Sequence, residues 1–149
     1  MKIYDLVDCY YSGFAAVKLN GKWGFIDLQG KEICPIKYDV VFDFINGFAM
    51  VEINEKCGLI NKDGKEICPI KYDEVWDFHN GFAAVKLNNK YGFIDLHGKE
   101  ICEIKYDYVG DFENGFAKVR LGCKGFFIDQ NGIEYNRIEK YEYIRRNQE

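Results

Sequence analysis

The stretch "GFAAVKLNGKWGFIDLQGKEICPIKYD", residues 13–39, decides the fold. Over Phe14–Leu19 the side chains alternate: Ala15, Val17 and Leu19 share one face, and Phe14, Ala16 and Lys18 the other. That period of two is the mark of a strand. Asn20-Gly21 follows, the dipeptide best suited to a two-residue hairpin turn, where both residues take positive φ. "KWGFID" then returns as a second strand. A two-residue turn fixes the register: Val17 opposite Gly24, Ala15 opposite Ile26, Lys18 opposite Trp23, and Ala16 opposite Phe25. "DLQG" (27–30) reads as a turn, and "KEICPI" as a third strand that Pro35 ends, bends or confines to an edge. "YDVVFDF" (38–44) is a short fourth segment before Asn46-Gly47.

The stretch recurs. "GKEICPIKYD" at 30–39 returns letter for letter at 64–73, and as "GKEICEIKYD" at 98–107. "GFA" begins at Gly13, Gly47, Gly81 and Gly115, a spacing of 34 residues throughout. Four copies result, at 4–37, 38–71, 72–105 and 106–139, within one domain spanning 1–149 and capped by 140–149. Helical repeats of the same length need apolar residues at i, i+3, i+4 and i+7, and no such stripe exists here. Each copy is three or four short antiparallel strands, too small to bury its own apolar face. Gly24 has no side chain to hold a neighbour off, which predicts tight packing between consecutive copies.

The expected fold class is therefore all-β, with the four repeats stacked as an open twisted solenoid or superhelical ribbon. A closed ring like a four-bladed propeller is the alternative. The chain starts on fourth-segment residues ("YDLVDCYY") and finishes on third-strand residues plus "KYEYI". These ends would cap the open stack or latch the ring.

Positions identical in all four copies are those the fold demands. They include the Phe14, Ala15, Val17 and Ile26 columns, together with Ile36/Ile70/Ile104/Ile138 and Val7/Val41/Val75/Val109. Positions that change are where recognition has room. One runs Asp8, Phe42, Trp76, Gly110, and another Trp23, Cys57, Tyr91, Gly125. Two more run Tyr11, Ile45, His79, Glu113 and Ala16, Met50, Ala84, Lys118. Trp and Tyr at such places suit protein contacts. Trp23, Phe42, Trp76 and Tyr91 are the candidate binding residues.

The recurring polar residues point away from catalysis, because a reaction needs one converged constellation rather than equal copies spread along a chain. Tyr38, Tyr72 and Tyr106 are expected to pack against the next copy and to hydrogen-bond through the hydroxyl. Asp39, Asp73 and Asp107 are expected to hold turn amides, and Asp27, Asn61, Asp95 and Asp129 to open turns. Cys34, Cys68 and Cys102 read as buried small hydrophobes, since no close cysteine pair of the zinc type occurs. Cys123 stands at a turn position and is expected to be exposed. His79 and His97 do not recur, and Ser12 stands in no nucleophile motif. No catalytic residue, metal site or cofactor is expected.

The net charge of -4 argues against a nucleic-acid partner. Rows such as Lys22/Lys56/Lys90/Lys124 could still form basic stripes. No apolar run is long enough to span a bilayer, and Met1–Tyr11 lacks a signal-peptide core. A cytoplasmic protein with reduced thiols is expected.

At "KWGFIDLQGKEICPIKYD" the sequence resembles the WG (or KWG) β-repeat proteins of bacteria. Their units run from Gly-Phe/Leu-Ala through Lys-Trp-Gly-aromatic-Ile-Asp and Gly-Lys to Pro-x-Lys-Tyr-Asp. The resemblance covers residues 4 to about 139, although Trp-Gly itself stands only at Trp23-Gly24. The other copies read Cys57-Gly58, Tyr91-Gly92 and Gly125-Phe126. The resemblance implies a β-repeat scaffold that mediates interactions and has no shared catalytic residues. The expected function is a non-enzymatic module for protein–protein interaction, an adaptor or inhibitor such as one used in phage–host conflict. Glycan or cell-wall binding through an aromatic groove is the alternative. Edge-strand association with another chain is open to the terminal strands.

Overall fold

The computed structural model describes residues 3–148. Its described residues are nearly all β, in four antiparallel sheets, one per copy, and they divide into two compact units, Met1–Val75 and Trp76–Glu149. In the first unit, β1 (Leu6–Val7), β2 (Ala15–Leu19) and β3 (Lys22–Ile26) form one sheet in that order. β4 (Val40–Val41), β5 (Phe48–Ile53), β6 (Lys56–Asn61) and β7 (Glu66–Tyr72) form the next, and β8 (Glu74–Val75) ends the unit. In the second unit, β9 (Phe82–Leu87) pairs with β10 (Lys90–Asp95). β11 (Tyr108–Glu113), β12 (Phe116–Leu121), β13 (Lys124–Asp129) and β14 (Glu134–Tyr135) form the last sheet, followed by helix α1 (Arg137–Arg146).

The hairpin register is the one the turn dictates: Val17 faces Gly24, Ala15 faces Ile26, Lys18 faces Trp23 and Ala16 faces Phe25. Asn20 and Gly21 take φ of 53° and 81°, the pair of left-handed residues that a primed turn needs.

The third segment departs from expectation. Only β7 runs the length of the segment as a strand, with two register shifts against β6, one of which spans Pro69. In the first and third copies the segment makes only isolated bridges, Ile26 to Glu32 and Trp23 to Tyr38, then Ile94 to Glu100 and Tyr91 to Tyr106. The third copy carries Glu103 in place of proline, so proline does not cause the break.

Close approach at the hairpin glycines is real, but it lies within each copy and not between consecutive ones. A Cβ placed on Gly24 would stand 3.0 Å from Ile36 Cγ1 and 3.1 Å from Ile36 Cα. At Gly58 the corresponding distances to Ile70 are 2.8 and 3.1 Å, and at Gly92 to Ile104 they are 3.0 and 3.2 Å. The returning segment crosses directly over the glycine. The fourth copy has Phe126 at this position, and its Cβ excludes that approach. After Tyr135 the chain leaves the sheet and starts a helix. Asn136 caps it, its side chain accepting from Glu139 N while the Glu139 carboxylate accepts from Asn136 N.

Packing between copies uses a phenylalanine wedge. Phe44 inserts from the second copy against Phe14 and Phe25, with ring centroids 4.4 and 4.9 Å apart. In the second unit Phe112 repeats this against Phe82 and Phe93, at 4.3 and 4.9 Å. Around the wedges lie Ala49, Val51 and Ile60 in one unit, and Ala117, Val119 and Ile128 in the other. Two positions expected in the core are not there. Ile138 is 69% exposed because it sits on α1 instead of a strand, and Val7 is 52% exposed, on the short β1. The C-terminal "KYEYI" is likewise helix and not strand, so it offers no strand with which to latch a ring.

Candidate functional site

The recurring polar residues form braces. Tyr38 is fully buried, and its hydroxyl donates to Glu66 Oε2 at 2.8 Å, within its own copy and not to the next one. Tyr106 donates to Glu134 Oε2 at 2.6 Å, and Tyr4 to Glu32 Oε2 at 2.8 Å. Lys37 and Lys105 complete two of these braces by pairing with Glu66 at 2.9 Å and Glu134 at 3.2 Å. The two partners titrate in opposite directions. Burial and the nearby carboxylate push the Tyr38 and Tyr106 phenols well above their ordinary value. The Lys37 ammonium holds Glu66 below the usual carboxylate range, and the Tyr106 hydroxyl does the same for Glu134.

A second brace lies one residue on. Asp39 accepts from Asn54 N through one oxygen, at 2.8 Å, and pairs with Lys22 through the other. Asp107 does so with Gly122 N, at 2.7 Å, and Lys90, while Lys56 pairs with Asp73. Three members of the Lys22 row are thus neutralised by carboxylates and do not present a bare basic stripe. Asp27, Asn61, Asp95 and Asp129 each accept two turn amides, as their spacing predicts.

With these residues occupied, the non-recurring aromatics define the candidate surface. Trp23 and Phe42 line one cleft of about 230 Å³ in the first unit. β3 presents Trp23 beside Lys18, whose Nζ lies 5.6 Å from the indole centroid. Phe42 follows β4 and is 44% exposed. The rim of the cleft carries Asp8, Asp39 and Asp43. Hydrogen bonds from Lys22 and Asn54 N hold the Asp39 carboxyl below its ordinary value, so it stays ionised. In the second unit Trp76 is 43% exposed and meets Tyr91 edge-on, centroids 5.5 Å apart, with Lys86 Nζ 5.6 Å above the Tyr91 ring. The four candidate residues therefore stand as two aromatic pairs, one in each unit. Val40 and Asp43 are the cleft residues that comparing copies did not single out. Asp43 has aspartate counterparts in Asp77 and Asp111, so its column does not stand out as variable and only the fold places it at the cleft.

Elsewhere the site is chemically quiet. Cys34 and Cys68 are buried, as is Cys57, which replaces the tryptophan, while Cys102 is partly buried. Burial raises the thiols of Cys34 and Cys102 and pushes Cys57 up to about 11. Cys9 and Cys123 are exposed. Among the described residues no group of three or more His, Cys, Asp or Glu side chains is arranged to hold a metal ion. No helix is long and apolar enough to cross a membrane.

Among solved structures, the chain is similar to Kluyveromyces lactis Hsv2p, with 13% identity, a TM-score of 0.42 and coverage of 88% of this chain and 50% of that one. It is also similar to KlHsv2 with loop 6CD replaced by a Gly-Ser linker, with 14% identity, a TM-score of 0.47 and coverage of 90% and 52%. The chain spans about half the length of each. No curated protein matches. The family model of the WG containing repeat matches residues 2–23, 23–57, 58–91 and 91–124, ending just before Gly125-Phe126, where the fourth copy loses its closure. With repeats matched over most of its length and the sheets following the same period, the chain belongs to the WG containing repeat family.

Proposed function

We propose that the chain is a non-enzymatic β-repeat module that engages a protein partner through its non-recurring aromatic positions, as an adaptor or inhibitor. The observation that carries the reading is the pairing of an exposed aromatic with a half-buried one where the copies differ: Phe42 with Trp23 at one cleft, and Trp76 with Tyr91 at an edge contact. Family membership fits a binding or scaffold module. The polar residues that recur are engaged in braces, which supports assigning them to architecture. The acidic rim of Asp8, Asp39 and Asp43 suits a partner that offers Lys or Arg to the aromatic wall. Neutralisation of the lysine row supports a protein partner over a nucleic acid, and six free thiols fit the cytoplasm. Phage–host conflict is one setting for such an inhibitor.

A glycan or cell-wall fragment is the second reading, favoured by the same aromatic cleft. The two separate by experiment. Affinity capture with the folded protein recovers a protein partner, and Phe42→Ala with Trp76→Ala abolishes recovery without unfolding the chain. Undiminished recovery would remove these residues from the contact. Heat signals on titrating a glycan panel would favour the second reading.

A further inference from the structure

Each copy after the first opens by laying its Tyr-Asp segment on the hairpin of the copy before it. Trp23 and Tyr38 exchange two backbone hydrogen bonds, at 2.7 and 3.1 Å, and Tyr91 and Tyr106 do so at 2.8 and 3.1 Å. Beside each bridge a lysine pairs with the aspartate, Lys22 with Asp39 and Lys90 with Asp107. In the fourth hairpin β14 covers the corresponding edge only at Phe127 and Ile128, and among the described residues no backbone bridge is laid on Lys124-Gly125. Lys124 and Gly125 stand at the Lys22 and Trp23 positions, and Tyr141 on α1 takes the place of the aspartate in sequence. A cleft of about 520 Å³ lies there, lined by Lys124, Gly125, Phe126, Glu134 and Tyr135 among others. Among the described residues, Lys124 makes no ion pair and Gly125 no backbone bond outside its own hairpin.

Tyr4-Asp5 is the complementary half. Tyr4 donates to Glu32 as Tyr38 does to Glu66. Asp5 N donates to Lys18 O as Asp39 N does to Glu52 O, and Asp5 Oδ2 accepts from Asn20 N as Asp39 Oδ2 does from Asn54 N. What Tyr4-Asp5 lacks, among the described residues, is the backbone edge and the lysine that the internal junctions supply.

We propose that Tyr4-Asp5 of one molecule docks on the Lys124-Gly125 edge of a second molecule of the same chain, giving head-to-tail association. The occupant is fixed by the internal junctions, which join the same letters with the same charge pair. The interface is heterologous, so it propagates unless its ends are blocked.

Sedimentation of the 149-residue protein tests this. The weight-average mass should rise with concentration. Asp5→Lys and Lys124→Asp should each weaken association by at least about tenfold, since each sets like charges together. Neither variant should associate well alone, but mixing the two should restore association, since every junction between unlike variants sets opposite charges together. The doubly substituted protein should regain association with itself. Gly125→Pro, which removes the outward N–H of an edge, should weaken association with no change in the circular dichroism spectrum. A wild-type protein that stays monomeric throughout would overturn the proposal, as would a mixture that does not regain association or association unmoved by both charge reversals.

Discussion

Alanine at Gly58 should destabilise the protein far more than alanine at Gly125, although both glycines lie in the second strand of a hairpin. At Gly58 the added methyl would meet Ile70 Cγ1 at 2.8 Å, Ile70 Cα at 3.1 Å and Pro69 O at 3.2 Å. Two of these are backbone atoms of the crossing segment, so rotating a side chain cannot relieve the overlap. The segment must lift, and it carries the buried Tyr72, 1% exposed. Overpacking of this kind costs about 1–3 kcal/mol. For a chain of this length each kcal/mol moves the melting temperature by roughly 2–4 °C, so a mid-range cost lowers Tm by about 4–8 °C. At Gly125 the nearest neighbour to such a methyl is Val119 O at 4.0 Å, and replacing a strand glycine there should be neutral or slightly stabilising. Thermal denaturation at fixed concentration, followed by circular dichroism, reads both. Melting of Gly58→Ala within about 1 °C of the parent would refute the crossing geometry, because an overlap with backbone at that distance has no cheaper escape.

Three further predictions follow from the braces and turns. Glu55 holds φ of 66° at a turn position where its counterpart is Gly21, so Glu55→Gly should raise stability by about 0.5–1 kcal/mol in a denaturant melt. Under native conditions Cys9 and Cys123 should react at once with a thiol reagent, while Cys34, Cys57 and Cys68 react only at the rate of opening; rapid modification of Cys57 would contradict its burial. Glu66 and Glu134 have folded pKa values below the ordinary carboxylate range, so their contribution is present above about pH 4.5 and lost as pH falls through the folded values. Melting temperature should therefore drop on acidification, and Glu66→Gln should flatten that drop. The raised phenols of Tyr38 and Tyr106 act at the other end: their stabilisation is complete below about pH 10 and declines above it.

Strand order and register were legible because turn chemistry and period-two alternation agree. Asn20-Gly21 alone fixes which residues face each other across the hairpin, and the structure keeps every pair. The roles of Tyr38 and Asp39 were legible from recurrence, since three equal copies cannot all be one site. The crossing at Gly24 was legible as a close approach but not in its partner, because sequence shows that a side chain is missing without showing what fills the space. The helix over Arg137–Arg146 was missed for a related reason. "NRIEKYEYI" lines up with third-strand letters, and its strand reading fails only because Phe126, eleven residues earlier, blocks the crossing that a strand would need. The acidic rim around Phe42 was also hidden, because the fold brings Asp8, from the copy before, beside Asp39 and Asp43, which flank β4.

The account separates residues that recur, which hold the copies together, from aromatics that do not, which meet the partner. The most direct measurement is partner retention by two folded variants, Glu66→Gln and Trp76→Ala, set beside the parent. The account predicts that Glu66→Gln melts earlier yet retains the partner fully, and that Trp76→Ala loses it. Retention by Trp76→Ala together with loss in Glu66→Gln would reverse the assignment.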